Sequence, residues 1–191
     1  STGAPDCRVR GGCEGVGCAL LYGMGRRGAA MFAIGESSGA VTFISSPDFE
    51  TPTDNGGDNI YDITVTASDG LNTSAAKAVA ITVTNVNDNT PVVTSAASAT
   101  FLENTTGTVY TVTGTDADVG SALIYALGGT DAALFAIDAS SGAVTFISSP
   151  DFETPTDIGG DNIYDITVTA SYGSITSASK AGAITGTHAN H

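Results

Sequence analysis

The stretch AVTFISSPDFETPTD at residues 40–54 recurs unchanged at residues 143–157. A second stretch, GGDNIYDITVTAS, occurs at 56–68 and again unchanged at 159–171. Both pairs are separated by the same offset of 103 residues, from 40 to 143 and from 56 to 159. Long identity at one fixed offset is typical of tandem structural repeats. The chain is therefore predicted to contain two copies of one folding unit, each of about 100 residues, a common size for a domain.

The similarity between the two copies weakens toward both ends of the chain. The stretch SALIYALGGTDAALFAID at 121–138 corresponds to CALLYGMGRRGAAMFAIG at 18–35, with several substitutions. The end of the second copy, SASKAGAITGTHAN, differs further from the matching AAKAVAITVTNVND of the first. In this register we predict a first repeat at residues 1–89 and a second repeat at residues 90–191.

The first repeat is predicted to be divergent or incomplete over residues 1–17. The stretch GGCEGVG stands there in register with GTDADVG of the second copy, so small and apolar residues are kept while the aspartates are lost. Two explanations stay open: this end has diverged for a purpose of its own, or it is a scrambled copy. All three cysteines, Cys7, Cys13 and Cys18, lie at this end, so the repeats are not predicted to depend on disulfides.

Apolar and polar residues alternate in each copy with a period of two. In IYDITVTA, Tyr61 and Ile63 fall on one face while Asp62 and Thr64 fall on the other. Runs rich in Val, Ile, Thr and Tyr between clusters of Gly, Asn, Asp, Pro and Ser are typical of short strands joined by turns. The inner faces are predicted to carry Tyr61, Ile63, Val65, Ala67, Val79, Ile81, Val83, Tyr110, Val112, Leu123, Tyr125 and Leu127.

This pattern predicts an all-β fold. Several short strands with frequent turns in about 100 residues are typical of a Greek-key sandwich. We therefore predict two tandem Greek-key, immunoglobulin-like β-sandwiches, the first one degenerate at its N-terminus. Helix is predicted only as a single turn at residues 130–134.

The charge balance excludes some partners and favours others. Twenty acidic residues stand against six basic ones, which gives a formal net charge of −14. Nucleic acids and anionic membranes are bound through Lys and Arg, so neither is expected as a partner. The sequence also lacks the run of about 18 apolar residues that a membrane-spanning helix requires. Hard cations with oxygen ligands complement such a chain, although acidic residues that serve only solubility are the alternative.

Short oxygen-bearing side chains are concentrated between the two copies. The segment TVTNVNDNTP at 82–91 supplies three Asn residues and one Asp before Pro91. Calcium in proteins is bound by six to eight oxygens from carboxylates, amides and backbone carbonyls. An ordinary turn rich in Asn and Asp is the alternative reading of this segment alone.

Two pairs of carboxylates add to this segment. Asp48 and Glu50 of ProAspPheGlu would point to the same side of a strand, with Phe49 turned to the core. Asp116 and Asp118 form a second pair with the same spacing in GTDAD. Carboxylates that converge on one place repel each other unless a cation lies between them.

The motifs LEN, DAD, PDFE, ASDG and NVNDNTP resemble, in order and spacing, those of the cadherin repeat, over residues 18 to about 185. They most resemble the tandem copies found in very large bacterial surface proteins. The resemblance implies calcium ions between successive repeats that stiffen the junction. Val86 and Asn89 would then act through their carbonyl oxygens. The resemblance assigns to the metal Asp48, Glu50, Val86, Asn87, Asp88, Asn89, Asp116 and Asp118.

Some positions depart from the family pattern. Asn85 stands where the family usually has Asp, and Tyr172 replaces the carboxylate of ASDG. One or two ions are therefore expected at the junction rather than the family's three. Glu103, Asp151 and Glu153 correspond to ligands for a junction with a third repeat. Since the second copy ends in HANH instead of NVND, that second site is expected to be empty.

No catalytic constellation is predicted. The two histidines, His188 and His191, lie in the last four residues and are expected to belong to a frayed end. Serine or cysteine nucleophiles therefore have no internal base, and the absence of Trp weakens a carbohydrate-cleaving reading. We predict that the protein is not an enzyme.

The predicted function is that of an extracellular, calcium-binding spacer or adhesion segment of a cell-surface protein. Its expected partners are calcium, neighbouring repeats or identical subunits, and a cell-surface protein or glycan. Two alternatives stay open: a self-assembling subunit of an extracellular filament or surface layer, and a carbohydrate-binding module. Asn72 and Asn104 begin Asn-X-Thr/Ser sequons and are candidates for glycosylation.

Overall fold

The period-two segments form extended strands in the computed structural model, which describes residues 20–25, 27–120 and 122–189. The chain divides into two units, and the division falls between Asn85 and Val86. The divergent residues 1–17, the three cysteines and His191 lie outside the described residues.

The first unit contains a three-stranded antiparallel sheet and a two-stranded one. Its strands are β1 Leu21–Gly25, β2 Phe32–Ile34, β3 Val41–Phe43, β4 Ile60–Ser68 and β5 Lys77–Thr82, with a 3₁₀ turn at Arg27–Met31. The larger sheet has the order β1-β4-β5, and β2 pairs with β3. The long central strand β4 is the IYDITVTAS segment of the duplicated sequence.

The second unit is a β-sandwich. Its strands are β6 Val92–Val93, β7 Ser98–Leu102, β8 Thr108–Thr111, β9 Gly114–Thr115, β10 Ile124–Gly128, β11 Phe135–Ile137, β12 Ala143–Phe146, β13 Ile163–Tyr172, β14 Ile175–Thr176 and β15 Lys180–Thr187. One sheet has the order β10-β13-β15-β7, with β14 added to β13; another has the order β11-β12-β8, and β6 pairs with β9. The β15–β7 pair is parallel. A 3₁₀ turn at Ala132–Leu134 confirms the predicted single turn.

Aromatic rings fill the core of the second unit. Tyr164 on β13 is fully buried. It makes edge-on contacts with Phe101, Phe135 and Phe146, with ring centroids 5.0–5.8 Å apart. Such pairs stabilise a core beyond the area that they bury. The predicted inner-face residues Tyr110 and Val112 are also buried here.

The core of the first unit repeats this arrangement with fewer fully buried members. Phe32, Tyr61 and Ile63 are buried, and Phe43 packs edge-on against Tyr61 at 5.3 Å. Their neighbours, including Val65, are only partly buried. The predicted inner face of IYDITVTA is therefore confirmed, although it is less completely covered than its copy in β13.

A short turn between β11 and β12 holds a carboxylate with a depressed pKa. Oδ1 of Asp138 accepts hydrogen bonds from the backbone N–H of Ser141 at 2.8 Å, from the hydroxyl of Ser140 at 2.7 Å and from the backbone N–H of Ser140 at 3.0 Å. These bonds favour the charged form and lower the pKa of Asp138 to about 2. In the first unit the same position is Gly35.

This depressed pKa predicts an acid-dependent loss of stability. Because the folded pKa lies below the ordinary value of 3.8, the stabilising contribution is present above about pH 4 and is lost as the pH falls toward 2. In a ¹³C NMR titration of the carboxyl groups, we expect Asp138 to titrate near pH 2. The stability advantage over Asp138→Asn should disappear over the same window. A midpoint near 3.8, or an advantage that does not change with pH, contradicts this prediction.

Candidate functional site

The predicted ligands at the start of the second unit lie close together. Asp118 is buried, and Oδ2 accepts a hydrogen bond from the backbone N–H of Asn89 at 3.1 Å. The side-chain amide of Asn89 donates to Oδ1 of Asp118 and to Oδ1 of Asp88, both at 3.1 Å. The linker and the DAD motif are therefore held together by one asparagine that contacts two carboxylates.

The electrostatics around Asp118 favour its charged form. Burial by itself raises the pKa of Asp118, but hydrogen bonds from the side chain and the backbone of Asn89 outweigh it and lower the pKa below its ordinary value. Asp118 is therefore a carboxylate, rather than a carboxylic acid, at neutral pH. A buried group that keeps its charge needs positive partners or hydrogen-bond donors around it.

Two oxygen atoms of this group fit a cation. Oδ1 of Asp116 accepts a hydrogen bond from the backbone N–H of Asp118 at 2.8 Å, which orients the carboxylate. Oδ2 of Asp116 and Oδ1 of Asn87 are shielded from solvent, and neither has a hydrogen-bond partner among the described residues. Buried oxygen atoms without donors are costly, and a hard cation is the kind of partner that would satisfy them.

Asn87 is oriented by a residue 85 positions later in the sequence. Its side-chain amide donates to the backbone carbonyl oxygen of Tyr172 at 3.0 Å. This fixes which way the amide points, so that its oxygen is the unsatisfied atom. The replacement of the family's Asp by Tyr172 removes a carboxylate from this end of β13, but the backbone of that residue still positions a predicted ligand.

The predicted strand geometry of the ProAspPheGlu motif is wrong. Residues 47–50 lie outside any strand after β3, and the chain bends at 49–51. The cause is local: Oδ1 of Asp48 accepts hydrogen bonds from the backbone N–H groups of Glu50 at 3.0 Å and Thr51 at 3.2 Å. Asp side chains compete in this way with strand pairing. Phe49 is only half-buried, so the prediction that it turns to the core is wrong.

The remaining predicted ligands are exposed or half-buried. The side chain of Val86 is largely exposed, as expected for a residue that would act through its carbonyl oxygen. Asp88 is exposed and Glu50 is half-buried. The prediction for Asn89 named only its carbonyl oxygen, whereas its side chain organises the group. The sequence signal for this role was that Asn89 directly follows Asp88 in NDN.

A second cluster lies at the other end of the second unit. Nδ1 of His188 is 3.0 Å from Oε1 of Glu103 and 2.6 Å from Oε1 of Glu153. The ring of His188 also packs against Phe152 at 5.7 Å. The prediction that His188 belongs to a frayed end is therefore wrong. The physical reason is that Glu103 holds the residues that follow β15, since its Oε1 also accepts a hydrogen bond from the backbone N–H of Ala189 at 2.7 Å.

Glu103 is ionised in this cluster. Hydrogen bonds from the backbone N–H groups of Ala189 and Phe152, followed by the charge of His188, lower its pKa despite burial. The sequence contained a signal for this contact: at the repeat offset of 103 residues, His188 corresponds to Asn85 of the linker that was predicted to bind metal.

The comparisons with known proteins agree with the fold. No family model matches the chain. Mouse protocadherin Fat 4 is 33% identical over 131 residues, which is 65% of this chain and 2% of that protein. Human protocadherin Fat 4 is 34% identical over 131 residues, with the same coverage. The chain thus spans about 2% of the length of these curated relatives.

Solved structures give a stronger likeness. Human protocadherin-24 EC1-2 matches with a TM-score of 0.71 at 23% identity, over 90% of this chain and 83% of that one. Mouse cadherin-23 EC22-24 matches with a TM-score of 0.68 at 24% identity, over 90% and 53%. Drosophila N-cadherin EC1-4 matches with a TM-score of 0.65 at 25% identity, over 90% and 41%.

Together, the sheets and these neighbours define the class of the protein: it is built from β-sandwich repeats with the cadherin-like fold. The predicted recognition of cadherin-like repeats is confirmed, whereas a bacterial source stays a prediction. Within the described part of the chain, no helix has the length and apolar character needed to cross a membrane.

Proposed function

We propose that the chain is an extracellular spacer and adhesion segment in which calcium joins the two cadherin-like repeats. The observation that carries this proposal is the pair of shielded, donor-free oxygen atoms on Asp116 and Asn87 beside the ionised Asp118. Cadherin-like repeats serve as adhesion modules, and the structural neighbours support the same role here. No acid–base pair or nucleophile is required for it.

In this proposal each unit contributes oxygen ligands from its own end. The first unit offers Asp48 and Glu50, and the second offers Val86, Asn87, Asp88, Asn89, Asp116 and Asp118. When bound, calcium supplies positive charge that cancels the repulsion among these carboxylates. The residues of the chain do the rest: Asn89 holds the linker on Asp118, and Tyr172 orients Asn87.

The number of ions follows from the donors that are present. Asn85 and Tyr172 each replace a carboxylate of the family pattern, so the negative charge at the junction suits one or two calcium ions rather than three. A stiffened junction lets successive repeats project a distal surface away from a cell. The partners in this proposal are neighbouring repeats and a cell-surface protein or glycan.

A calcium-dependent thermal melt tests the proposal. Extracellular calcium modules bind with a Kd of about 10⁻⁴–10⁻³ M, and a ligand at a hundredfold excess over its Kd adds about 2.7 kcal/mol of stability. We expect the melting temperature of the chain to rise by roughly 10 °C in excess calcium relative to chelator. Magnesium at the same concentration should have a much smaller effect.

The duplicated motif provides a matched control. Asp48 and Asp151 make the same turn, each accepting the backbone N–H of the following glutamate at 3.0 Å. Replacing either with alanine therefore has a similar local cost, apart from the additional bond from Thr51 to Asp48. Asp48→Ala should lose most of the calcium response, whereas Asp151→Ala should keep it. Identical melts with calcium and chelator, or equal responses of the two variants, would overturn the proposed junction.

A further inference from the structure

The two units differ at one buried carboxylate. In the second unit Asp131 is only 3% exposed. Oδ1 accepts a hydrogen bond from the backbone N–H of Ile158 at 2.8 Å, and Oδ2 accepts one from the backbone N–H of Asp165 at 2.7 Å. One side chain thus connects the loop before β13 to the first residues of that strand.

The first unit has a glycine at this position. Gly28 is the counterpart of Asp131 at the offset of 103 residues. Its backbone lies against β4, because a Cβ atom added there would be 2.8 Å from the carbonyl oxygen of Asp62. The backbone of Asp131 is placed similarly, since its N–H donates to the carbonyl oxygen of Asp165 at 3.0 Å. The two segments therefore follow the same part of the strand, but Gly28 lies too close to β4 to carry an unstrained side chain, whereas position 131 carries one.

A cavity open to solvent, lined mostly by exposed residues, adjoins Gly28. It measures about 450 Å³, and its lining includes Gly28, Asp54, Asn55, Asp58, Tyr61 and Asp62. The volume is large enough for a small organic molecule, since ligand pockets begin at roughly 300 Å³.

Two backbone N–H groups of this lining lack the acceptor that their counterparts have. Asn55 corresponds to Ile158, and Asp62 corresponds to Asp165. The backbone N–H of Val83 donates to the carbonyl oxygen of Asn59, so every second residue from Asn59 onward bonds to β5. Asp62 falls between these residues, and its N–H therefore faces away from β5. On its other side, the pairing with β1 that the described residues show runs from Ser68 to Thr64. Within the described residues, neither N–H has a side-chain acceptor.

The loop that carries the first of these donors is built as in the second unit. Oδ1 of Asp54 accepts the backbone N–H of Asn59, as Oδ1 of Asp157 accepts that of Asn162, both at 3.0 Å. Both asparagines have positive φ, 62° and 61°. Nearly the same sequence, with Asn55 in place of Ile158, therefore closes the same loop, and the loop does not require the missing carboxylate to form.

Neighbouring negative charge does not exclude a carboxylate from this place. Asp54, Asp58 and Asp62 line the cavity of the first unit. In the second unit the same three positions are also aspartates, yet Asp131 is buried among them, held by two charge-assisted hydrogen bonds. Carboxylates at the rim accept hydrogen bonds, so they suit a ligand that carries hydroxyl groups.

We propose that the cavity of the first unit binds a small hydroxylated organic acid, such as a sugar acid. Its carboxylate takes the place of the Asp131 side chain and accepts the N–H groups of Asn55 and Asp62. Its hydroxyl groups donate to the carboxylates of Asp58 and Asp62, because both oxygens of Asp54 already accept backbone N–H groups of the loop. This site lies within the first unit and does not depend on the calcium junction.

Amide NMR of the full chain tests the proposal with two probes, glucuronate and acetate, each against sodium chloride at equal ionic strength. We expect the amide signals of Asn55 and Asp62 to move downfield and saturate with glucuronate. A weaker response to acetate shows that the hydroxyl groups contribute, and an equal response shows recognition of the carboxylate alone. The absence of saturable shifts at these two amides with either acid overturns the proposal.

Three variants provide matched controls. Gly28→Asp introduces a carboxylate from the chain itself, and Gly28→Ala controls for the shift that any Cβ requires against the carbonyl oxygen of Asp62. The response of Asn55 and Asp62 to both acids should be lost in Gly28→Asp and kept in Gly28→Ala. Asp131→Gly opens the same place in the second unit, and the amides of Ile158 and Asp165 should then respond to the acids. Each variant is compared with the unaltered unit of the same molecule. An undiminished response in Gly28→Asp contradicts the assigned position.

Discussion

Replacing Ile166 with alanine is expected to lower the free energy of unfolding of the second unit by about 2–5 kcal/mol. Ile166 is 2% exposed on the central strand β13, within a core of eleven buried residues. Removing three carbon atoms there forfeits their burial and leaves a cavity, because rings such as Tyr164 and Phe135 are already packed edge-on and cannot close the space.

The identical motif in the first unit provides the control. Ile63 is the counterpart of Ile166 and is 1% exposed. Among the described residues of the first unit, however, the only hydrophobic residues buried with it are Phe32 and Tyr61. Half-buried neighbours can move into the space, so Ile63→Ala is expected to cost about 2 kcal/mol, the lower end of the range. Hydrogen exchange of the β13 and β4 amides measures each unit separately in one molecule. A larger loss for Ile63→Ala contradicts the assignment of the better packed core to the second unit.

Strand positions were predictable because they depend on local sequence. The segment IYDITVTAS forms β4 at Ile60–Ser68 and the greater part of β13 at Ile163–Tyr172. Alternation sets which side chains face inward, and identical alternation gives identical faces. The repeat offset then extends the prediction from one copy to the other.

The ProAspPheGlu segments were mispredicted for an equally local reason. Counting alternate residues assumes that the backbone is extended, whereas Asp48 bonds to the backbone two and three residues ahead. A side chain that satisfies its own backbone removes the need for a strand partner. The same bend recurs at Asp151, so both copies were misread in the same way.

Contacts between residues distant in the sequence were not predictable from periodicity. The loops before β4 and β13 have nearly the same sequence, but only the second is anchored, by Asp131, 27 residues before Ile158. His188 likewise meets Glu103 across 85 positions of sequence. Composition identified the types of ligand, whereas the fold decides which of them lie together.

Asp131→Ala is expected to destabilise the second unit by about 3 kcal/mol. Hydrogen bonds to a charged acceptor contribute roughly 1.5–3 kcal/mol each, and Asp131 accepts two of them, from Ile158 and Asp165. Alanine removes the acceptor and leaves both backbone N–H groups without a protein partner. The loss is less than the sum of the two bonds, because water can enter the space of the side chain.

Asp131→Asn removes the charge of this side chain but keeps its shape. Its amide oxygen can accept one of the two N–H groups, but its NH₂ group then faces the other donor, so we expect an intermediate loss. Hydrogen exchange at Ile158 and Asp165 should increase in both variants, while Asn55 and Asp62 in the first unit stay unchanged. Because the first unit folds with Gly28 at this position, the second unit should remain folded in both variants at low temperature. Equal stability of Asp131→Ala and the unaltered chain would mean that the two hydrogen bonds only replace bonds to water.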